Sequence, residues 1–423
     1  MMTMKYKWIF LLLLVLSAIA VFFVICSNGQ CFEGGAPQND EDISIDDDVT
    51  LSGGELTDDY VASDTNDTII DIQADRDRES REPADNDPIE ITLRTPTSTP
   101  EPVQALYITS WVAGTPSLRE PIIDMVLSTN INAVIIDIKD DTGKISYRVN
   151  DEILASYGSS ENRIPNIDAL LERFHDAGIY VIGRISVFQD PYLASARPDL
   201  AVLTKSDGNV WTDRKGLSFL HPQYTEVWDY TLRLAKESYE RGFDEINFDY
   251  VRFPSDGNIS DIDYALEEGS VRADHIENFF AYVYEELKDH PMKTSVDLFG
   301  MTTTQSDDLG IGQIWERALP YFDYIAPMIY PSHYPPTWRG FNNPADHPYE
   351  VITYALQGAL EKSNAHGYDG STIRAWIQDF NHKAVYTEDM VLDQIRAARE
   401  LGIESFMIWN PSNRYRIRIL EEI

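Results

Sequence analysis

Residues 245–257 read EINFDYVRFPSDG. The first nine are rich in β-branched and aromatic side chains, as a buried strand is, and the run stops at Pro254 in a turn. Yet the end of this strand carries Asp249 and Arg252. Removing an ion from water is costly unless it finds a partner. Two explanations stand: Asp249 pairs with Arg252 or Arg184 to fix strand register, or the charges point into a site that uses them.

The neighbourhood of that stretch decides where its end lies. Short apolar runs recur at ALYITSWVAG (105–114), AVIIDIKD (133–140), YVIGRISVF (180–188), KTSVDLFG (293–300), YIAPMIYP (324–331), IRAWIQDF (373–380) and SFMIWNP (405–411). Between them lie stretches of helical period such as IDALLERFHDAG, TEVWDYTLRLAKESYERG, ENFFAYVYEELKDH and EDMVLDQIRAARELG. Strands buried on both faces, with helices between, predict a parallel sheet. Eight such units over residues 105–423 predict a closed (β/α)8 TIM barrel, with an open doubly wound sheet as the competitor.

In a barrel the C-terminal strand ends form the working face. Polar residues gather there: Asp137, Lys139, Asp140 and Asp141 at the end of strand 2, Arg184 in strand 3, Asp249 and Arg252 in strand 4, and Asp297 in strand 5. Tyr330 and His333 follow strand 6, Asp379 follows strand 7, and Trp409 and Asn410 end strand 8. The starts of the strands read as mostly apolar.

Asp249 and Asp297 are the leading catalytic pair, because strand alternation puts them on one face of adjacent strands. Carboxylates about 5–5.5 Å apart suit retaining glycoside hydrolysis and about 6.5–9.5 Å inverting hydrolysis. Repulsion in a dry pocket can keep one protonated as general acid. Asp249 is expected as nucleophile or stabiliser and Asp297 as acid/base. Expected substrate contacts are Trp111, Asp137, Lys139, Arg184, Arg252, Tyr330, His333, Asp379, Trp409 and Asn410. Trp111 and Trp409 are the preferred sugar platforms among 8 Trp and 23 Tyr. The loop 189–223, with Trp211, Asp213, Arg214 and His221, is long enough to shape substrate choice. No HExxH or close His pair occurs, so no metal and no cofactor is expected.

The first hundred residues are of another kind. Residues 1–7 are expected to be cytoplasmic, and 8–26, WIFLLLLVLSAIAVFFVIC, to be a transmembrane signal anchor after Lys5 and Lys7. Residues 27–104 hold about twenty acidic side chains against four Arg, a composition that predicts a disordered linker. The barrel would then be extracytoplasmic. The net charge of −36 disfavours nucleic acid and anionic lipid as partners and suits a neutral or cationic substrate. Cys26 and Cys31 precede the barrel, so no disulfide or thiol chemistry is available there. Oligomeric state is not legible.

YITSWVAG, NAVIIDIKDDTGKISY, GRISVFQD, INFDYVRFPSDG, SVDLFG, APMIYPSHYPP and the Trp-Asn of strand 8 together resemble an uncharacterised bacterial family of glycoside hydrolase domains. The resemblance spans about residues 105–420, and FDYVRFP is its most specific motif. It implies a TIM barrel distantly similar to the α-amylase clan, with a catalytic carboxylate at the end of strand 4, here Asp249. That clan places Glu on strand 5, where this chain has Asp297. The expected function is therefore a membrane-anchored glycoside hydrolase acting on a cell-envelope or environmental polysaccharide. A barrel that binds glycan without cleaving it and a metal-dependent polysaccharide deacetylase are the alternatives.

Overall fold

The computed structural model describes residues 98–266 and 269–422. Eight parallel strands form one closed barrel: β1 Gln104–Ile108, β2 Ala133–Lys139, β3 Tyr180–Ser186, β4 Glu245–Asp249, β5 Lys293–Phe299, β6 Tyr324–Met328, β7 Ala375–Gln378 and β8 Phe406–Trp409. β8 pairs with β1 through Ala105 and Met407, which closes the ring and removes the open-sheet alternative. Each run read as a strand is one.

Two strands end earlier than expected, for local reasons. β1 stops at Ile108 because the Thr109 side chain accepts the Val112 amide and starts a short helix, α1, Ser110–Gly114. Trp111 is thus helical. β4 stops at Asp249 because Tyr250 has φ +52°, a left-handed conformation that few side chains adopt. Arg252 consequently lies past the strand.

Helices cover the outside, among them α2 Pro116–Leu127, α3 Ile167–Asp176, α4 Thr225–Arg241, α5 Arg272–Leu287, α6 Pro348–Ala365 and α7 Glu388–Glu400. Their caps follow the sequence: Asn166 accepts the Ala169 amide at the start of α3, and Gly242 ends α4 with φ 117°. After β5 the pattern changes. A long loop leads only to the four-residue helix Trp315–Ala318.

Strand alternation divides the core in two. Leu106, Val134, Val181, Ile246, Phe248, Val296 and Ile408 point outward into the layer beneath the helices. Ala105, Tyr107, Ile135, Tyr180, Ile182, Ala326, Trp376 and Met407 fill the barrel. The inward residues of β4 are polar from end to end: Glu245, Asn247 and Asp249, each buried.

The strand starts are not simply apolar. Glu245 opens β4 and receives both Arg374 bonds, at 2.9 and 2.6 Å, together with Ser295 Oγ at 2.7 Å. A buried ion pair therefore sits at the floor of the barrel. The chain enters at that same floor. Val103 is 1% exposed among the inward residues, Thr99 Oγ1 lies 3.3 Å from Tyr180 Oη, and Asn132 bonds the backbone at Pro102 and Gln104. The linker boundary expected at residue 104 thus falls inside the barrel. The anchor expected at 8–26 and the linker up to residue 97 lie outside the described residues. Among the described residues no helix is long and apolar enough to cross a membrane.

The loops after β3 and β4 join above the barrel. Residues Leu203–Thr204 pair with Ile262–Asp263 in an antiparallel ribbon, Trp211 Nε1 donates to Asn258 O at 3.1 Å, and His221 Nε2 contacts Tyr264 O at 2.9 Å. Trp211 and His221 of the expected specificity loop are buried as its internal supports.

Candidate active site

At the C-terminal strand ends a narrow cavity opens. Seven expected site residues line it: Asp249, Asp297, Arg184, Arg252, Tyr330, His333 and Trp409. Tyr107, Tyr250, Phe299, Met328 and Trp376 complete the lining.

Asp249 stands on an ion pair. Arg184, inward-facing on the neighbouring β3, donates through Nε to Asp249 Oδ2 at 2.9 Å, and its Nη2 bonds the same oxygen. Its Nη1 reaches Asp137 Oδ1 at 2.8 Å, and Asp137 Oδ2 accepts Tyr107 Oη at 2.5 Å. Of the two arginines that could pair with Asp249, Arg184 therefore does so, and the pair lines the cavity. Asp249 Oδ1 accepts the amide of the next residue, Tyr250, at 2.6 Å. Burial holds the Asp137 carboxyl and the Tyr107 hydroxyl above their ordinary ranges, so Tyr107 stays a donor.

Asp297 is held differently. Its Oδ1 accepts Asn247 Nδ2 at 2.9 Å and Trp376 Nε1 at 2.8 Å, whereas its buried Oδ2 has no hydrogen-bond partner among the described residues. Burial first, and then the charge of Asp249, hold its carboxyl well above the usual carboxylate range. Two N–H donors occupy the lone pairs of Oδ1, which leaves the proton to Oδ2. The last paired residues between β4 and β5 are Phe248 and Val296, and the two acids stand one step further along. Adjacent strands are about 5 Å apart, so the acids face the cavity side by side.

One wall is aromatic. Tyr330 lies 4.9 Å from Trp409 and 5.3 Å from His333 between ring centroids, and Phe380 packs 4.9 Å from Trp409. Burial pushes His333 down to about 3, so its ring is neutral at working pH. Arg252 lies over the rings of Tyr250 and Phe299 at 5.1 and 4.9 Å and donates to Ser255 Oγ at 3.0 Å.

The other expected residues fall elsewhere. Asp137 stands behind Arg184, which it positions. Lys139 is fully buried in an ion pair with Asp190 at 2.7 Å, because the register shifts between Asp137 and Lys139 and turns it out of the barrel. Asp379 and Asn410 each follow the last inward residue of their strand and so face away. Asp379 pairs with Arg416, and Asn410 holds a turn by donating to Arg414 O at 2.8 Å. Trp111 is 56% exposed on α1 with the Arg163 guanidinium 5.3 Å from its ring, outside the cavity lining. Tyr250 and Trp376 of the lining were not among the expected contacts, and neither were Tyr107, Phe299 and Met328. The period-2 spacing of the last three from Ala105, Asp297 and Ala326 is the signal that marks them. Among the described residues no three His, Cys, Asp or Glu side chains converge to hold a metal ion.

The glycoside hydrolase domain of PgaB (BpsB) from Bordetella bronchiseptica shares this fold, with a TM-score of 0.56 at 11% identity over 76% of this chain and 98% of that one. A hypothetical protein from Ruminiclostridium thermocellum is 35% identical over 49% of this chain and 98% of its own, with a TM-score of 0.42. The α-galactosidase TtGalA from Thermus thermophilus is 15% identical over 77% of this chain and 61% of its own, with a TM-score of 0.47. No curated protein matches the sequence. Residues 105–415 match the family described as "Putative glycosyl hydrolase domain", and the chain belongs to that family.

Proposed function

We propose that the protein hydrolyses O-glycosidic bonds in a cell-envelope or environmental polysaccharide, with Asp297 as general acid and Asp249 as the carboxylate facing the reacting sugar. One observation carries the reading: a buried carboxyl with one unpartnered oxygen among the described residues, held above the usual carboxylate range, beside an ion-paired carboxylate in a cavity at the strand ends. Asp297 Oδ2 delivers its proton to the glycosidic oxygen as the bond to the anomeric carbon breaks; a water molecule then adds its oxygen to that carbon and returns a proton to Asp297. Asp249, fixed by Arg184 and the Tyr250 amide, stabilises the positive charge that develops on the sugar ring, as nucleophile or as counter-charge. Tyr330 and Trp409 give an apolar face for sugar C–H groups, and the neutral His333 ring can exchange hydrogen bonds with a hydroxyl.

A glycan-binding barrel without turnover is the second reading, favoured by the full engagement of Asp249, whose two oxygens both accept protein hydrogen bonds. Purified protein, Asp249→Asn and Asp297→Asn are incubated with bacterial wall glycans, exopolysaccharides and plant glucans, with and without chelator, and new reducing ends are counted. Release by wild type alone supports the hydrolase. Saccharide binding by all three without release supports the scaffold, and chelator-sensitive acetate release would point to deacetylation.

The apolar run 8–26 and the acidic stretch after it support a place outside the cytoplasm, tethered to the membrane. Digestion of intact cells by added protease, with loss of the barrel, tests that placement; protection in intact cells and cleavage only after lysis would contradict it.

A further inference from the structure

The seam between β4 and β5 opens at the point where the two acids stand. Backbone pairing between the strands stops at Phe248 and Val296. On its other side β4 stays paired with β3 to the end, where Val187 N donates to Asp249 O at 2.9 Å and Phe188 N to Tyr250 O at 3.3 Å. β5 likewise stays paired with β6 as far as Phe299.

One side chain fills the opened seam. Gln313, in the loop after β5, is 1% exposed. Its Oε1 accepts the Phe299 amide at 2.9 Å, and its Nε2 donates to Val251 O at 3.2 Å and Asp297 O at 3.4 Å. A single amide thus replaces the missing ladder. It joins the chain two residues after Asp249 to the backbone of Asp297 itself. The loop is shaped to deliver it: Leu309, Gly310 and Gly312 all have positive φ, and a Cβ at Gly312 would lie 3.0 Å from Arg272 O and 2.6 Å from Ile276 Cγ1.

We propose that Gln313 is a positioning residue for the carboxylate pair, fixing the separation of Asp249 and Asp297 by clamping the ends of β4 and β5. The inference rests on the hydrolase reading, in which that separation governs the chemistry. The same separation governs how strongly Asp249 acts on Asp297, since a like charge favours the protonated form more the closer it is. The other groups facing Asp297 are Arg184 from β3, Asn247 from β4 and Trp376 from β7, with Tyr107, Tyr250, Arg252 and His333 on the cavity walls. None of them belongs to the Gln313 loop. A change in Asp297 on altering Gln313 therefore reports the seam.

The test is titration of the Asp297 carboxyl by NMR in protein carrying 13C-labelled aspartate, with the resonance assigned by Asp297→Asn. Wild type is compared with Gln313→Met, which keeps length and removes the amide. Gln313→Asn keeps a buried amide but withdraws it by one methylene, and it serves if the methionine variant fails to fold. Loosening the clamp is expected to let the acids separate and the Asp297 midpoint fall by about one pH unit, with the alkaline limb of any glycan-hydrolysing activity falling with it and KM changing less than kcat. A folded variant with the wild-type midpoint overturns the role of Gln313 and leaves the hydrolase reading intact. A wild-type Asp297 that titrates in the ordinary carboxylate range removes the general acid, and the Gln313 assignment with it.

Discussion

At the residue scale the site holds two groups, the buried Asp297 and the half-buried His333, whose protonation opposes each other in stability. Asp297 has a folded-state affinity for its proton raised by burial and by Asp249, so above about pH 4 the unfolded chain releases that proton first and stability falls as pH rises. Asp297→Asn removes the penalty without adding charge. The variant is expected to be inactive yet to melt at least about 2 °C higher at pH 7, with the advantage vanishing below about pH 4. Differential scanning calorimetry across that range checks it. His333 has the opposite slope. Burial depresses it to about 3, so as pH falls below about 6.5 the unfolded chain binds a proton that the folded one refuses. Stability is then lost by at most about 1.4 kcal/mol per pH unit. His333→Phe should flatten the loss between pH 6 and pH 4 in urea titrations; an unchanged slope would show that another group causes it.

Elements explain why one strand-end charge reaches the cavity and the next does not. Lys139 and Asp190 are both wholly buried, so Lys139→Met leaves a carboxylate stranded at a cost of about 3–5 kcal/mol in urea unfolding. The surviving folded fraction should keep the wild-type KM, which a substrate contact would not. The strands were legible because continuous apolar runs bounded by turns have no other comfortable home, and the alternation within them put Asp249 and Asp297 on one face, the face that lines the cavity. The bulge before Lys139 was not legible, since nothing in IDIKDD announces a change of parity. Asp379 and Asn410 looked like site residues from proximity alone, although each lies one residue off the inward register of Trp376 or Trp409. Trp111 was misplaced with the strand that Thr109 cuts short. The Glu245–Arg374 floor pair escaped notice because its members are 129 positions apart and each resembles an ordinary strand-edge charge. Gln313 was hidden for the same reason: a glutamine in a glycine-rich loop shows its role only through three backbone partners in space.

For the molecule as a whole, the segment before β1 is part of the barrel and not merely its leader. A chain beginning at residue 98 is expected to melt within about 2 °C of the full protein. One beginning at residue 105 loses Val103 from the interior and the bonds from Asn132, and should be less stable by about 2 kcal/mol or more. Equal melting of both fragments would show that the floor needs no closing. The same entry point gives the molecule a direction. Whatever precedes residue 98 joins the barrel at its floor, and the cavity opens at the opposite pole. A tag or solid support attached just before residue 98 therefore leaves the mouth of the cavity clear for substrate.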